Sequence, residues 1–194
     1  MSVTIARIHA GAGRVFVGVT VGVTGTPPTY ITHTDGVPGS GTDVGGTQGD
    51  AIFSYVATKK EIEIEQSLAP VKVIAINEIA SIECTVLEAV YTTLQYALDN
   101  VGKEDIAAGE AFYFGDGTSI LAPTTGCVMV TSRQPDAPTK FWIVVLYKCY
   151  VAEAFKLPFS KAKETTYKLT LKGLADLTRN AGDRVGYLRY ETTA

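Results

Sequence analysis

The period of the apolar residues constrains this chain more than any other feature: it is two along most of the length and lengthens to a helical spacing once. Lys60 to Glu65 alternates strictly, with Ile62 and Ile64 on one side and Glu61, Glu63 and Glu65 on the other, as in a strand with one wet face. Thr165 to Leu171 alternates as well, with Tyr167, Leu169 and Leu171 inward and Thr166, Lys168 and Thr170 outward. Lys140 to Val151 is apolar on both sides: Phe141, Ile143, Val145 and Tyr147 on one, Trp142, Val144 and Leu146 on the other. That predicts a single central strand covered on both faces. The one break is Leu87, Val90, Tyr91, Leu94 and Leu98, which fall on one stripe of a helix. Thr85 precedes Glu88 by three residues, as in a capping box, and Gly102 is placed to end the helix in a left-handed cap. The spacing predicts an amphipathic helix over about residues 86–100, with those five residues as its core face.

Further extended stretches are expected at Val3–Ile8, Arg14–Val23, Ile52–Ala57, Val71–Ile76, Ile79–Cys84, Ala111–Phe114, Cys127–Ser132 and Gly186–Tyr190. Gln66 to Pro70 reads as a turn, and Asp116-Gly117 as another. Residues 25–50 differ in kind: Pro27-Pro28, Gly36, Pro38-Gly-Ser-Gly41 and Gly45-Gly46 predict one long loop, with room for a short strand at Thr29–Ile31. Neither a repeat nor a linker interrupts the chain, so the 194 residues are expected to form one domain. Many strands and one helix predict a mainly β fold: an antiparallel sandwich or open barrel of two packed sheets with one flanking helix. Nineteen glycines and ten tyrosines agree with strands and turns.

The residues offer little to chemistry. The glycine-rich stretch lacks the G-K-[ST] of a phosphate cradle and is not bracketed by strand and helix. His9 has no ligand candidate beside it, and His33 has only Asp35 and Asp43. No serine sits in a G-x-S-x-G elbow. Glu110 and Asp116 form no more of a carboxylate couple than any two acids near a turn. Cys84, Cys127 and Cys149 lie among apolar strand residues and form no C-x-x-C pair, so they read as small buried hydrophobes. No catalytic residue, cofactor or metal is therefore expected. The N-terminus lacks the basic start and apolar run of a signal peptide, and Phe141–Tyr147 is too short to span a bilayer as a helix, so no membrane is expected.

Charge is distributed unevenly about a net −3. Residues 59–110 hold four Lys or Arg against ten Asp or Glu, and residues 111–194 hold eleven against seven. Such asymmetry suits subunits that dock unlike surface to unlike surface. The column Glu61, Glu63, Glu65 is the wet face of a strand or a repulsive surface, and it is the opposite of what phosphate binding needs.

Glu61-Ile-Glu-Ile-Glu-Gln-Ser-Leu-Ala-Pro-Val71, the strand after it, and Leu87-Glu-Ala-Val-Tyr-Thr-Thr-Leu-Gln-Tyr-Ala-Leu98 together resemble the tail tube proteins of long-tailed phages. Pro158-Phe-Ser-Lys161, Leu169-Thr-Leu-Lys-Gly-Leu-Ala-Asp176 and Ala181-Gly-Asp-Arg-Val-Gly186 continue the likeness. The resemblance implies a non-enzymatic structural subunit of two packed sheets, in hexameric rings that stack into a hollow conduit for DNA. It implies assembly in the bacterial host cytoplasm and a place in the virion tail. The partners it implies are copies of the chain, a tape measure protein, a tail terminator and tail-tip proteins, with DNA as a passenger. Glu61, Glu63 and Glu65 are then candidates for the lumen. Gly36, Pro38, Gly39, Gly41, Gln66, Ser67, Leu68 and Pro70 are candidates for loops that stack rings. A terminator or head–tail joining ring is the nearest alternative; a carbohydrate-binding sandwich using Trp142 is one from another class.

Overall fold

The computed structural model of the chain describes residues 13–22, 33–34, 37–63, 65, 69–87, 90–98, 103–106, 109–112, 125–132, 141–159 and 164–190. Antiparallel strands dominate them, so the expected mainly β class holds. The strands are β1 (Gly13–Val19), β2 (His33–Thr34), β3 (Val37–Pro38), β4 (Thr42–Asp43), β5 (Ile52–Ile62), β6 (Lys72–Val86), β7 (Lys103–Ile106), β8 (Gly109–Phe112), β9 (Gly126–Ser132), β10 (Phe141–Leu146), β11 (Lys148–Val151), β12 (Tyr167–Leu174) and β13 (Gly186–Tyr190). The helix, α1, spans Tyr91–Ala97. One sheet has the order β13-β10-β9-β1-β4 and the other β11-β12-β6-β5; β2–β3 and β7–β8 are separate hairpins.

Alternation decides what lies between the sheets. Val15, Val17, Met129, Val144 and Leu146 of the first sheet meet Ile82, Val86, Tyr167, Leu169 and Leu171 of the second. The first sheet is buried on its reverse face too, through Phe16, Val128, Val130, Phe141, Ile143 and Val145. This is why β10 reads apolar throughout and β12 reads alternating. Each such side chain, buried, is worth roughly 1.5–3 kcal/mol. Thr170 departs from the expected pattern: it is 5% exposed, not outward and wet.

The predicted central strand 140–151 is two strands. The chain leaves the first sheet at Leu146, turns at Tyr147 and enters the second at Lys148. Gly126 makes room for that corner, since a Cβ there would collide with the carbonyl oxygens of Leu146 and Tyr147. Apolar periodicity could not show the break, because the residues on both sides of it are buried or half-buried.

The helix also differs. It is seven residues long, and β6 continues through Val86 into the stretch expected to be helical. Thr85 is paired with Lys168 in the sheet, and Val90 caps the helix with no side-chain bond. Leu87 therefore precedes the helix, and Val90 is 48% exposed. Tyr91 and Leu98 are half-buried. The face turned to the core consists of Thr93 and Ala97, with Leu94 and Tyr96 beside them. Tyr96 fills the space beside Gly18, whose φ of 68° marks the bulge between Val17 and Val19. The Tyr167 hydroxyl donates to Thr93 Oγ1 at 3.1 Å.

The predicted loop 25–50 is partly structured. Thr42–Asp43 is an edge strand on β1, Arg14 Nη2 pairs with Asp43 at 2.6 Å, and Val44 is 1% exposed in the core. The expected strand Val3–Ile8, the short strand at Thr29–Ile31 and the turn Asp116-Gly117 lie outside the described residues.

Candidate functional site

The expected strand Ile52–Ala57 and the first three residues of the expected strand Lys60–Glu65 are one strand, β5, which ends at Ile62; Val71–Ile76, from Lys72 on, and Ile79–Cys84 are likewise joined in β6. Together they form a hairpin whose ladder runs from Ile52 opposite Glu83 to Ile62 opposite Lys72. The Val71 amide donates to the Ile62 carbonyl at 2.9 Å and closes it.

The two sheets cross, and this positions the hairpin. Ala51 lies 3.0 Å from where a Cβ of Gly13 on β1 would be. Four residues on, Tyr55 lines a cleft with Tyr187 and Leu188 of β13. The chain thus passes over the first sheet from β1 to β13, and β13 is the last described strand on that side. Beyond it the hairpin has nothing to pack on among the described residues. From Thr58 to Glu78 every described residue is exposed.

That overhanging arm is not polar. Val71 is 52% exposed, Val73 53% and Ile76 61%, and Val56, just before the arm, is 57% exposed. Thr58 faces Asn77 and Lys59 faces Ala75, so Ile76 is the extra residue of a bulge on β6. A bulge twists the strand and reverses its alternation. Apolar groups consequently occur on both faces: Val56 opposite Ile79 and Ile74 opposite Lys60 on one, Val73 opposite Glu61 on the other.

At the root of the arm lies a cleft of about 290 Å³. Phe53, Tyr55 and Ala80 form one wall, Val145, Leu146 and Val185 to Leu188 the other. Leu188 is 52% exposed there, on the sheet's edge strand. The Tyr55 hydroxyl hydrogen-bonds Glu78; desolvation first, and then that carboxylate, raise its pKa. On the outer face of the second sheet, Lys168 Nζ pairs with Glu83 at 3.0 Å and Glu153 at 3.3 Å. These carboxylates raise the Lys168 pKa against the opposing effect of desolvation. Exposed pairs like these are worth little singly.

The sequence-predicted residues divide between two places. Glu61 is in β5, on the face that Phe53 and Tyr55 present by alternation; Glu63 lies past the strand and Glu65 in the turn. All three are exposed, but the strand ends at Ile62, so they do not form a column on one ladder. Pro70 is exposed at the same end of the arm, while Gln66, Ser67 and Leu68 lie outside the described residues. Of the other set, Gly41 sits against β1. Pro38 is buried, Gly39 is exposed, and Gly41, at φ 96°, is packed so closely on Val17 and Val19 that a Cβ would meet them. Gly36 lies outside the described residues. The exposed apolar groups of the arm and the cleft went unread in the sequence. Their one signal is that Val71, Val73, Ile74 and Ile76 do not keep a period of two.

Among the described residues, no group of three or more His, Cys, Asp or Glu side chains could hold a metal ion, and no helix is long and apolar enough to cross a membrane. Cys84 and Cys127 are buried and Cys149 half-buried, all as free thiols. In comparisons with known proteins, no family model and no curated protein matches the chain.

Proposed function

We propose that the chain is a structural subunit that assembles with copies of itself, and that the assembly is a tail tube of the phage type. The observation that carries the reading is the overhanging β5–β6 arm, with exposed Val71, Val73, Ile74 and Ile76. Apolar groups on both faces of a protruding hairpin invite aggregation unless a partner covers them. Burying the exposed part of each contributes roughly 1 kcal/mol to association before the entropic costs. Among the described residues, β5 and β13 are the sheet-edge strands beside this surface, and ring closure is one way to cover sheet edges. The tube identity comes from the likeness of residues 61–98 and 158–186 to tail tube proteins. In that setting Glu61, Glu63 and Glu65 present carboxylates at the arm's far end, and these repel phosphates and leave DNA a passenger.

Trp142, which a sugar-binding reading would use, is half-buried with its ring 4.7 Å from that of Tyr190. Negative-stain electron microscopy of concentrated pure protein distinguishes the readings. Hollow tubes are expected. Single closed rings would favour a terminator, and a persistent monomer would overturn assembly altogether.

A further inference from the structure

The chain's three cysteines gather in one apolar cluster between the sheets: Cys84 and Cys127 in its buried part, Cys149 packed against it. Cys127 is on β9 of the first sheet and Cys149 on β11 of the second. The segments carrying them run side by side through the corner at Tyr147. Leu146 is the ladder partner of Cys127. The Cys149 amide donates to the Thr125 carbonyl at 3.2 Å, and its Sγ lies 3.8 Å from the same oxygen. The Cys127 and Cys149 side chains are in hydrogen-bond contact. Two thiols on different sheets therefore meet, with backbone bonds fixing the chain on either side of them. Cys149 is half-buried and open to a reagent, whereas Cys127 is sealed at 0% exposure.

We propose that Cys127 and Cys149 form a disulfide joining the two sheets when the folded chain meets a small-molecule disulfide such as oxidised glutathione. The thiolate of Cys149 attacks one sulfur of the oxidant, and one glutathione leaves as thiolate. The thiolate of Cys127 then attacks Cys149 Sγ and releases the second glutathione. Two protein thiols are oxidised, one glutathione disulfide is reduced to two thiols, and both protons pass to solvent or to the departing thiolates. The contact with Cys149, and then burial, raise the Cys127 thiol well above its ordinary pKa. The second step accordingly speeds up as pH rises. Cys84 is the competing thiol; burial pushes it up to about 12, and its strand is held to β12 and β5, not to the corner. The bridge would fasten the sandwich where the chain passes between its sheets. This inference does not depend on the assembly reading.

The test is to incubate the pure folded protein with oxidised glutathione at about pH 8.5, block remaining thiols, and map tryptic peptides without reduction. The expected product links the peptide of residues 104–133 to that of residues 149–156, leaving Cys84 alkylated. The oxidised protein should melt roughly 10 °C above the reduced one. Cys149→Ser should abolish both results, and Cys84→Ala should keep the linked peptide. A bridge to Cys84, a stable glutathione adduct on Cys149 with Cys127 still free, a link between two chains, or no oxidation would each overturn the proposal. The wild-type map decides even where a variant fails to fold.

Discussion

In the half of the β5–β6 hairpin that crosses the first sheet, Ala80, Ile82, Cys84 and Val86 are at most 5% exposed; beyond β13, Val71, Val73 and Ile76 are all more than half exposed. Both halves carry the same kinds of residue on continuous strands. What separates them is the width of the opposing sheet, which ends at β13. Strand propensity thus accounts for the hairpin's length, and tertiary packing accounts for only its first half. The remainder keeps apolar side chains that stabilise nothing in the described fold, and this is the reason to look for a partner.

Substitutions should break the two halves differently. Ile82→Ala, at the root, should cost about 4 kcal/mol in urea unfolding, because it opens a cavity between the sheets. Gly126→Ala should cost about 2–3 kcal/mol by the same measure, since its Cβ collides with two carbonyl oxygens at the corner. Asp176 gives a smaller, pH-dependent effect. Burial alone would raise its pKa, but bonds from Thr178 and Lys148 outweigh this and lower it to about 2 from an ordinary 3.8. A depressed folded pKa means that its stabilisation is complete above the ordinary value and is lost as pH falls towards 2. Asp176→Asn should cost roughly 1–2 kcal/mol at neutral pH and flatten the acid limb of a stability–pH profile. In the arm, Val73→Thr with Ile76→Thr should change monomer stability by less than about 0.5 kcal/mol.

The sequence made the body of the fold legible because burial there follows local period. Tyr167, Leu169 and Leu171 face inward as their alternation requires, and Phe141 through Tyr147 are buried or half-buried as their double-faced pattern requires. The helix was less legible. Leu87 and Val90 fit a helical stripe, yet β6 takes the chain through Val86 by pairing with β12, and a long-range ladder outweighs a local stripe. Likewise nothing local reveals that Thr42–Asp43 would find β1, or that Tyr147 turns between sheets. The arm was read as strands, but its exposure depends on how far another sheet extends, and no window of residues contains that. Glu61, Glu63 and Glu65 were visible as charges; their place at the far end of an overhang was not. Deleting residues 36–46 would remove β3, β4 and buried Val44, so it would test folding as much as ring stacking.

The claim that the arm is the assembly surface is tested most directly by comparing the wild-type chain with the Val73→Thr, Ile76→Thr double variant by negative-stain electron microscopy and sedimentation velocity at equal concentration. The account predicts tubes or rings from the wild type, and from the variant a monomer with an unchanged unfolding midpoint. A variant that assembles as the wild type does would contradict it.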